Sequence, residues 1–255
     1  MKRNGQKSAC MKRIAAILLG VFIILGFSAN ADAQWKYGIG TGIGALSFEG
    51  KVGFDTLIAG PLKFDVDMDP SDVNDAIDTA FGFQGYATDG MYLIKYSYST
   101  ITLEGDGNNG VTFLDAEFEA NGAEVTLAYP IYQVPGAKLS VLGGVRWTSH
   151  ELKINVTSGI FSSGVKVDKD WYDAIVGLTL DVPFYEKWNW GSQVDAGFGG
   201  SNSTYTVATG LGWRFFDNWS ASLGAAYRYV KFEDHNQASP DWYLYDMDET
   251  SARLG

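Results

Sequence analysis

From Trp35 onward the chain alternates apolar or aromatic residues with Gly or polar ones, in stretches of about ten residues. Trp35, Tyr37, Ile39, Thr41, Ile43 and Ala45 alternate with Lys36, Gly38, Gly40, Gly42 and Gly44. Tyr172, Ala174, Val176, Leu178, Leu180 and Val182 alternate with Asp173, Gly177, Thr179 and Asp181, and the same rhythm returns around Tyr92, Leu139, Trp190, Tyr205 and Ala221. A period of two places one residue set on each face of a strand, so each stretch predicts a strand with one greasy face and one small or polar face. The ends of the greasy faces are aromatic. Tyr37, Tyr92, Tyr129, Trp190, Trp213 and Trp219 fall near one end, and Trp147, Tyr172, Phe198, Tyr205 and Tyr229 near the other. Two aromatic rings around an apolar band are what a sheet needs to cross a bilayer. A secreted β-sandwich also alternates, but it buries its apolar face and has no use for such rings.

Connectors divide into two kinds. Short ones lie at Thr88-Asp89-Gly90, Pro130 to Gly136, Pro183 to Lys187 and Phe216-Asp217-Asn218, and longer polar ones at 104–110, 155–164, 199–204 and 233–243. Four short turns separate five hairpins, which predicts an all-β, antiparallel up-and-down transmembrane β-barrel of ten strands, or eight if one hairpin stays outside the membrane. All six prolines are expected in connectors, because proline cannot donate to a sheet ladder. From Phe113 to Glu119 the apolar parity is opposite to that of Val125, Leu127 and Tyr129, which predicts a bulge near Asn121-Gly122 or a sheet extension above the membrane. Thr250 to Gly255 reads as the start of a last strand that stops short, so a truncated C-terminal strand is expected.

Before the strands lies a basic stretch with Lys2, Arg3, Lys7, Lys12 and Arg13, then an apolar run from Ile14 to Phe27 and the triplet Ala31-Asp32-Ala33. This is the layout of a secretory signal, so residues 1–33 are expected to be a cleavable signal peptide and 34–255 the barrel. The charge then splits unevenly. The whole chain carries −11, with 19 Lys and Arg against 30 Asp and Glu, whereas 34–255 carries 14 against 29. Nucleic acid is excluded as a partner by that sign. Cys10 is the only cysteine, so disulfides cannot stabilise the exported part.

With the signal segment, the Gly-rich alternation of Tyr205 to Trp213 and turns such as Phe216-Asp-Asn-Trp219, the chain resembles the small outer-membrane β-barrel proteins of Gram-negative bacteria, the OmpA-like and OmpW-like class. The resemblance spans nearly all of 35–255 and carries no subfamily motif, so it transfers no catalytic or ligand-binding residue. It implies a bacterial outer-membrane location, contact with outer-membrane lipids and lipopolysaccharide, handling by the barrel-assembly machinery, and a monomer. Such a protein is expected to act as a structural or surface-interaction barrel without cofactor, with a narrow channel for small solutes or apolar molecules as the alternative and a rim hydrolase behind both.

Three residue sets carry candidate chemistry. The acidic tract Asp65, Asp67, Asp69, Asp72, Asp75 and Asp78 fails as an EF-hand, since Pro70 and Ala76 stand where Gly and Glu are required. It reads instead as a short strand, Leu62 to Met68, followed by a helical turn capped at Asp69-Pro70 and running to Ile77, with no metal expected. His150 is expected inside the barrel near the outer rim, within reach of Asp170 or Asp173, while His235 lies in a loop. A hydrolytic site would need more than a lone histidine, so no catalytic residue is assigned. Finally, Lys36, Lys95, Arg146, Arg214 and Arg228 are expected to face Glu124, Asp173, Asp181 and Asp195 across the lumen, where charges must pair or meet water.

Overall fold

The computed structural model describes residues 35–255 except 57–59, 109–111, 159–160, 236, 238 and 240. The signal segment lies outside the described residues. No helix among these residues is long and apolar enough to cross a membrane, which says nothing about crossing by strands.

Twelve strand segments form one antiparallel sheet: β1 (Lys36–Thr41), β2 (Ile43–Thr56), β3 (Gly60–Met68), β4 (Ile77–Thr88), β5 (Leu93–Asn108), β6 (Thr112–Val134), β7 (Ala137–Ser158), β8 (Phe161–Phe184), β9 (Trp188–Gly199), β10 (Ser203–Phe216), β11 (Trp219–Asp234) and β12 (Tyr243–Leu254). A seven-residue helix, α1 (Pro70–Ala76), separates β3 from β4. From β4 to β12 each strand pairs with the next in sequence, the up-and-down order the alternation implies.

The expected count of ten is corrected to twelve segments, and the sheet is not closed. The first expected strand is divided, and the short strand expected at Leu62 to Met68 joins the sheet as a strand of its own. Gly42 separates β1 from β2, and α1 separates β3 from β4. β1 pairs with β4, whereas β2 pairs with β12 on one side and with β3 on the other. The hydrogen-bonded order therefore begins at β1 and ends at β3, although β1 runs straight into β2.

Strands β6 to β8 have 22 to 24 residues. At ~3.3 Å per residue and a tilt of about 45° such a strand rises about 55 Å, well beyond the ~30 Å hydrocarbon core. The surplus projects beyond the outer aromatic ring, and it explains the parity break. β6 pairs with β5 and β7 without interruption through Asn121 and Gly122, so no bulge lies there. Below the ring Val125, Leu127 and Tyr129 face out. Above it Phe118 faces in, packed against the buried core, while Glu117 and Glu119 face out. The apolar face changes sides because the phase outside changes from lipid to water.

The turns are tighter than expected, with Pro135-Gly136 and Asp217-Asn218 each joining two strands directly. Three prolines consequently stand inside strands, against expectation. Pro61 is on β3, at the end of the pairing order; Pro130 sits at a register shift; and Pro183 is one residue from the end of β8. These are the places where a missing N–H does least harm. The last strand begins at Tyr243, well before Thr250. Its face Tyr243, Tyr245, Met247 breaks the membrane pattern because it points inward, into the core.

Candidate functional site: the lumen and the outer rim

The strand registers place Glu124, Arg146, Asp173, Asp195, Thr206 and Arg228 on one face, toward the lumen, and the lumen is layered. In the middle layer the Arg146 guanidinium donates to Glu124 Oε2 and Asp195 Oδ1, at 2.8 and 3.0 Å. Gln193 joins this group by donating to Asp195 Oδ2 (2.9 Å) and accepting from Lys95 Nζ (3.0 Å). Arg228 lies 3.8 Å from Glu249. Among the described residues, Arg146 Nη1 and the hydroxyls of Thr179, Thr204 and Thr206 are buried without a protein partner, which marks this layer as polar.

Of the expected lumen charges, the structure brings together Lys95, Arg146, Glu124 and Asp195. Asp173 departs from expectation: its carboxylate accepts from the backbone N–H and hydroxyl of Ser201 and so anchors a connector. Arg214 donates to the Glu186 carbonyl in a turn. Glu249 and Ser201 were missed. Glu249 hides in a strand whose alternation is not membrane-like, and Ser201 sits in a loop where no periodicity applies.

Above the charges lies an apolar plug. Phe54, Trp171, Val230, Phe232, Tyr243, Tyr245 and Met247 are buried together. Trp171 stacks on Phe232 with centroids 4.1 Å apart and planes 10° apart. His150 is embedded here, 4 % exposed, edge-on to Phe118, Trp171 and Tyr245, with Nδ1 sharing a 3.0 Å hydrogen bond with the Tyr243 hydroxyl. The expected neighbourhood of Asp170 or Asp173 is therefore corrected. Asp170 is the register partner of Ser149 on the outward face, and Asp173 is taken by Ser201. Among the described residues the hydrogen-bond partner of this imidazole is a phenol rather than a carboxylate. At the rim Lys169 Nζ pairs with Asp234 and donates to the Asp241 carbonyl, closing over the plug, and Asp234 also meets His235.

The outer surface carries the two aromatic rings. Tyr92 and Tyr129 approach at 5.5 Å, Trp188 stacks on Trp213, and Tyr205 lies against Tyr229. Trp147 departs from expectation. It is only 8 % exposed, beside its register partner Tyr172.

Above the outer ring, Glu117, Glu119 and Glu151 place carboxylate oxygens within 4.8 Å of one another. Sequence distance hid this cluster, which exists only through the β6–β7 register. Lys153 bonds Glu117 and Glu151, and Lys166 bonds Glu151, so cationic charge is already supplied by side chains. Partial burial opposes ionisation of Glu151, but the hydrogen bonds from Lys153 and Lys166 win and hold its carboxyl below the usual range.

The acidic tract folds as expected. Asp65 lies 3.7 Å from Lys51 on an exposed face. Asp69 caps α1 by accepting from Ser71 and Asp72 backbone N–H groups, Asp72 returns the bond to Asp69, and Pro70 occupies the first turn. The Ser71 hydroxyl, with those N–H groups, holds the Asp69 carboxyl below its ordinary range. Asp75 and Asp78 line an open groove of about 330 Å³ with Glu104, Asp106 and Asp115.

Against known proteins, no family model and no curated protein matches the chain. Solved structures do. The outer membrane protease OmpT from Escherichia coli is similar over 88 % of this chain and 96 % of its own, with a TM-score of 0.55 and 13 % identity. The translocator domain of the autotransporter NalP from Neisseria meningitidis covers 98 % and 96 % at a TM-score of 0.36 and 11 % identity. The attachment invasion locus protein Ail of Yersinia pestis covers 85 % and 95 % at 0.30 and 10 %. The first of these shows the fold: that of an outer-membrane β-barrel.

Proposed function

We propose that the protein is an integral, non-conducting and non-enzymatic barrel of the bacterial outer membrane, whose lumen is structural and whose outer extension and acidic loops meet partners at the cell surface. One observation carries the reading: the upper lumen is filled by side chains, with Tyr243 wholly buried and Trp171 stacked on Phe232. In this reading strand 36–56 is one wall stave bent at Gly42, and β3 with β4 is a second stave interrupted by α1, so the wall has ten staves. Outer-membrane lipids and lipopolysaccharide contact the apolar band between the aromatic rings, and the barrel works as a monomer.

The test is planar-bilayer recording of folded, reconstituted protein. Wild type gives no conductance steps, and the double variant Trp171→Ala/Phe232→Ala, which removes the stacked pair from the plug, gives them. Steps from wild type would overturn the structural lumen in favour of the narrow conduit, a second reading that the unsatisfied Arg146, Thr179, Thr204 and Thr206 atoms favour. The non-enzymatic part is tested separately, with basic and acidic peptides and with lipid A as substrates. Turnover that disappears in His150→Ala or His235→Ala would refute it.

A further inference from the structure

The wall has a seam, and its position follows from two registers. β1 and β4 end their pairing at Thr41↔Phe83, and β2 and β3 begin theirs at Phe48↔Met68. Between these points lie residues 42–47 on one side and 77–82 on the other, six facing six, and among the described residues no ladder joins them. Each segment is held as strand from its far side, by β12 and by β5. Gly42 breaks the first strand, and the β4–β5 register shifts between Ile77 and Thr79, which bends β4 where α1 leaves the wall. A side-chain bond crosses the line at its lower end, where Thr41 Oγ1 donates to the Gly82 carbonyl at 2.7 Å.

Exposure shows what the seam does. In Trp171 to Ile175 and in Ser203 to Val207 it alternates, because outward residues are accessible and inward ones are not. At the seam both parities are exposed, in Gly42 to Ala45 and in Asp78 to Phe81, and the exposure of both parities continues into the adjoining stretch Ile39 to Thr41. The outward pair is apolar, Ile43 at 76 % and Phe81 at 56 % exposed, with Phe83 beside it against Tyr98. In the lower part of the seam the inward positions, Gly42, Gly44, Ala80 and Gly82, are all small, and the larger inward side chains, Leu46 and Ile77, stand at its upper end.

We infer that this seam is a lateral opening from the bilayer into the lumen below the aromatic plug, and that its occupant is one acyl chain of a membrane lipid. The flanking side chains are apolar and face the membrane, so lipid is the phase outside the opening, and acyl chains are its apolar strands. Strand edges left unpaired there are costly in hydrocarbon, so the seam persists only where water in the lumen or the polar part of a lipid reaches those edges. The edges are pre-aligned to shut: continuing the β1–β4 register brings Ile43 opposite Phe81 and Ala45 opposite Thr79.

The inference rests on the membrane barrel of the preceding section but not on its closed plug, and the experiment separates the two. The full chain carrying Cys10→Ser, Ala45→Cys and Thr79→Cys is folded into vesicles containing a phospholipid with a photoactivatable diazirine in its acyl chain. Adducts are mapped by mass spectrometry in the reduced and the oxidised protein. In the reduced form adducts form at inward Ala80 and Leu46 as they do at outward Val207, and not at inward Ala208 in the intact wall. Oxidation forms the disulfide and abolishes the adducts at Ala80 and Leu46 while sparing Val207. Adducts confined to outward positions, adducts at Ala80 that survive oxidation, or a disulfide that does not form would each overturn the seam. Absence of adducts even at Val207 would instead remove the membrane barrel itself. Heat-modifiable gel mobility of both forms shows that the variant is folded.

Discussion

The lower and upper halves of this sheet obey opposite rules although the same strands run through both. Below the outer aromatic ring, β7 turns Val141 and Val145 outward and Ser140 and Arg146 inward. Above it the same strand turns Glu151 and Lys153 outward and His150, Leu152 and Ile154 inward. The lower half is a membrane wall around a polar lumen, and the upper half turns charged side chains outward around an apolar core. The backbone register does not change between them. The lesson is that a strand's parity is set by pairing, whereas the meaning of each face is set by the solvent beyond it.

The largest effects come from breaking the interior of either half. Arg146→Met leaves Glu124 and Asp195 buried without their cation, and a loss of about 3–5 kcal/mol is expected on urea unfolding in detergent micelles. Adding Glu124→Gln and Asp195→Asn recovers most of it; a triple variant as unstable as the single one would show that the pairing was not the cause. In the upper half Trp171→Ala removes a fully packed ring from Phe232 and His150, and about 3–5 kcal/mol is expected by the same measurement. A loss under about 1 kcal/mol, the scale of an ordinary exposed change, would mean that the plug is not a core.

The outer faces sharpen the contrast further. Val176→Arg puts a charge against hydrocarbon, with about 2–4 kcal/mol of destabilisation expected. Asn155→Arg, on an exposed outward position above the ring, is expected to stay within about 0.5 kcal/mol. Equal costs at the two sites would erase the boundary between the halves.

The smallest effect concerns the exposed ion pairs. Lys166→Ala should cost about 0–1 kcal/mol at neutral pH. Because the Glu151 carboxyl is held below its ordinary value, its contribution is present above the usual Glu range and is lost as pH falls through the lowered value. Lys166→Ala should flatten that acid-side loss, and a pH–stability curve identical to wild type would show that Glu151 is not its source.

Much of the architecture could be read from period two alone. The outward sets around Tyr92, Tyr172, Trp190 and Tyr205, the four tight turns, and the Asp69 cap of α1 all follow from local rules that need no partner. Pairings across the lumen were legible only in part. Arg146 with Glu124 and Asp195 was readable because all three sit on clean alternating strands, whereas Glu249 and the whole face Tyr243, Tyr245, Met247 were not, since an inward apolar face reads as noise once outward apolar faces are assumed. His150 was placed on the right face, but its partner Tyr243 is 93 residues away and lies on that misread strand. The strand count erred at Gly42, where the break leaves the parity unchanged on either side, and at Leu62 to Met68, whose short strand was read but whose pairing into the sheet was not.

The step from Trp147 and Tyr172 to Ser149 and Asp170 is only two residues on each of two paired strands. A barrel pushed deeper would drag charged side chains into hydrocarbon, and one pulled out would bare aromatic ones to water. That short step acts as a waterline, fixing how far the molecule floats above the bilayer and holding the rim at Lys169 and Asp234 at constant height above the lipid surface.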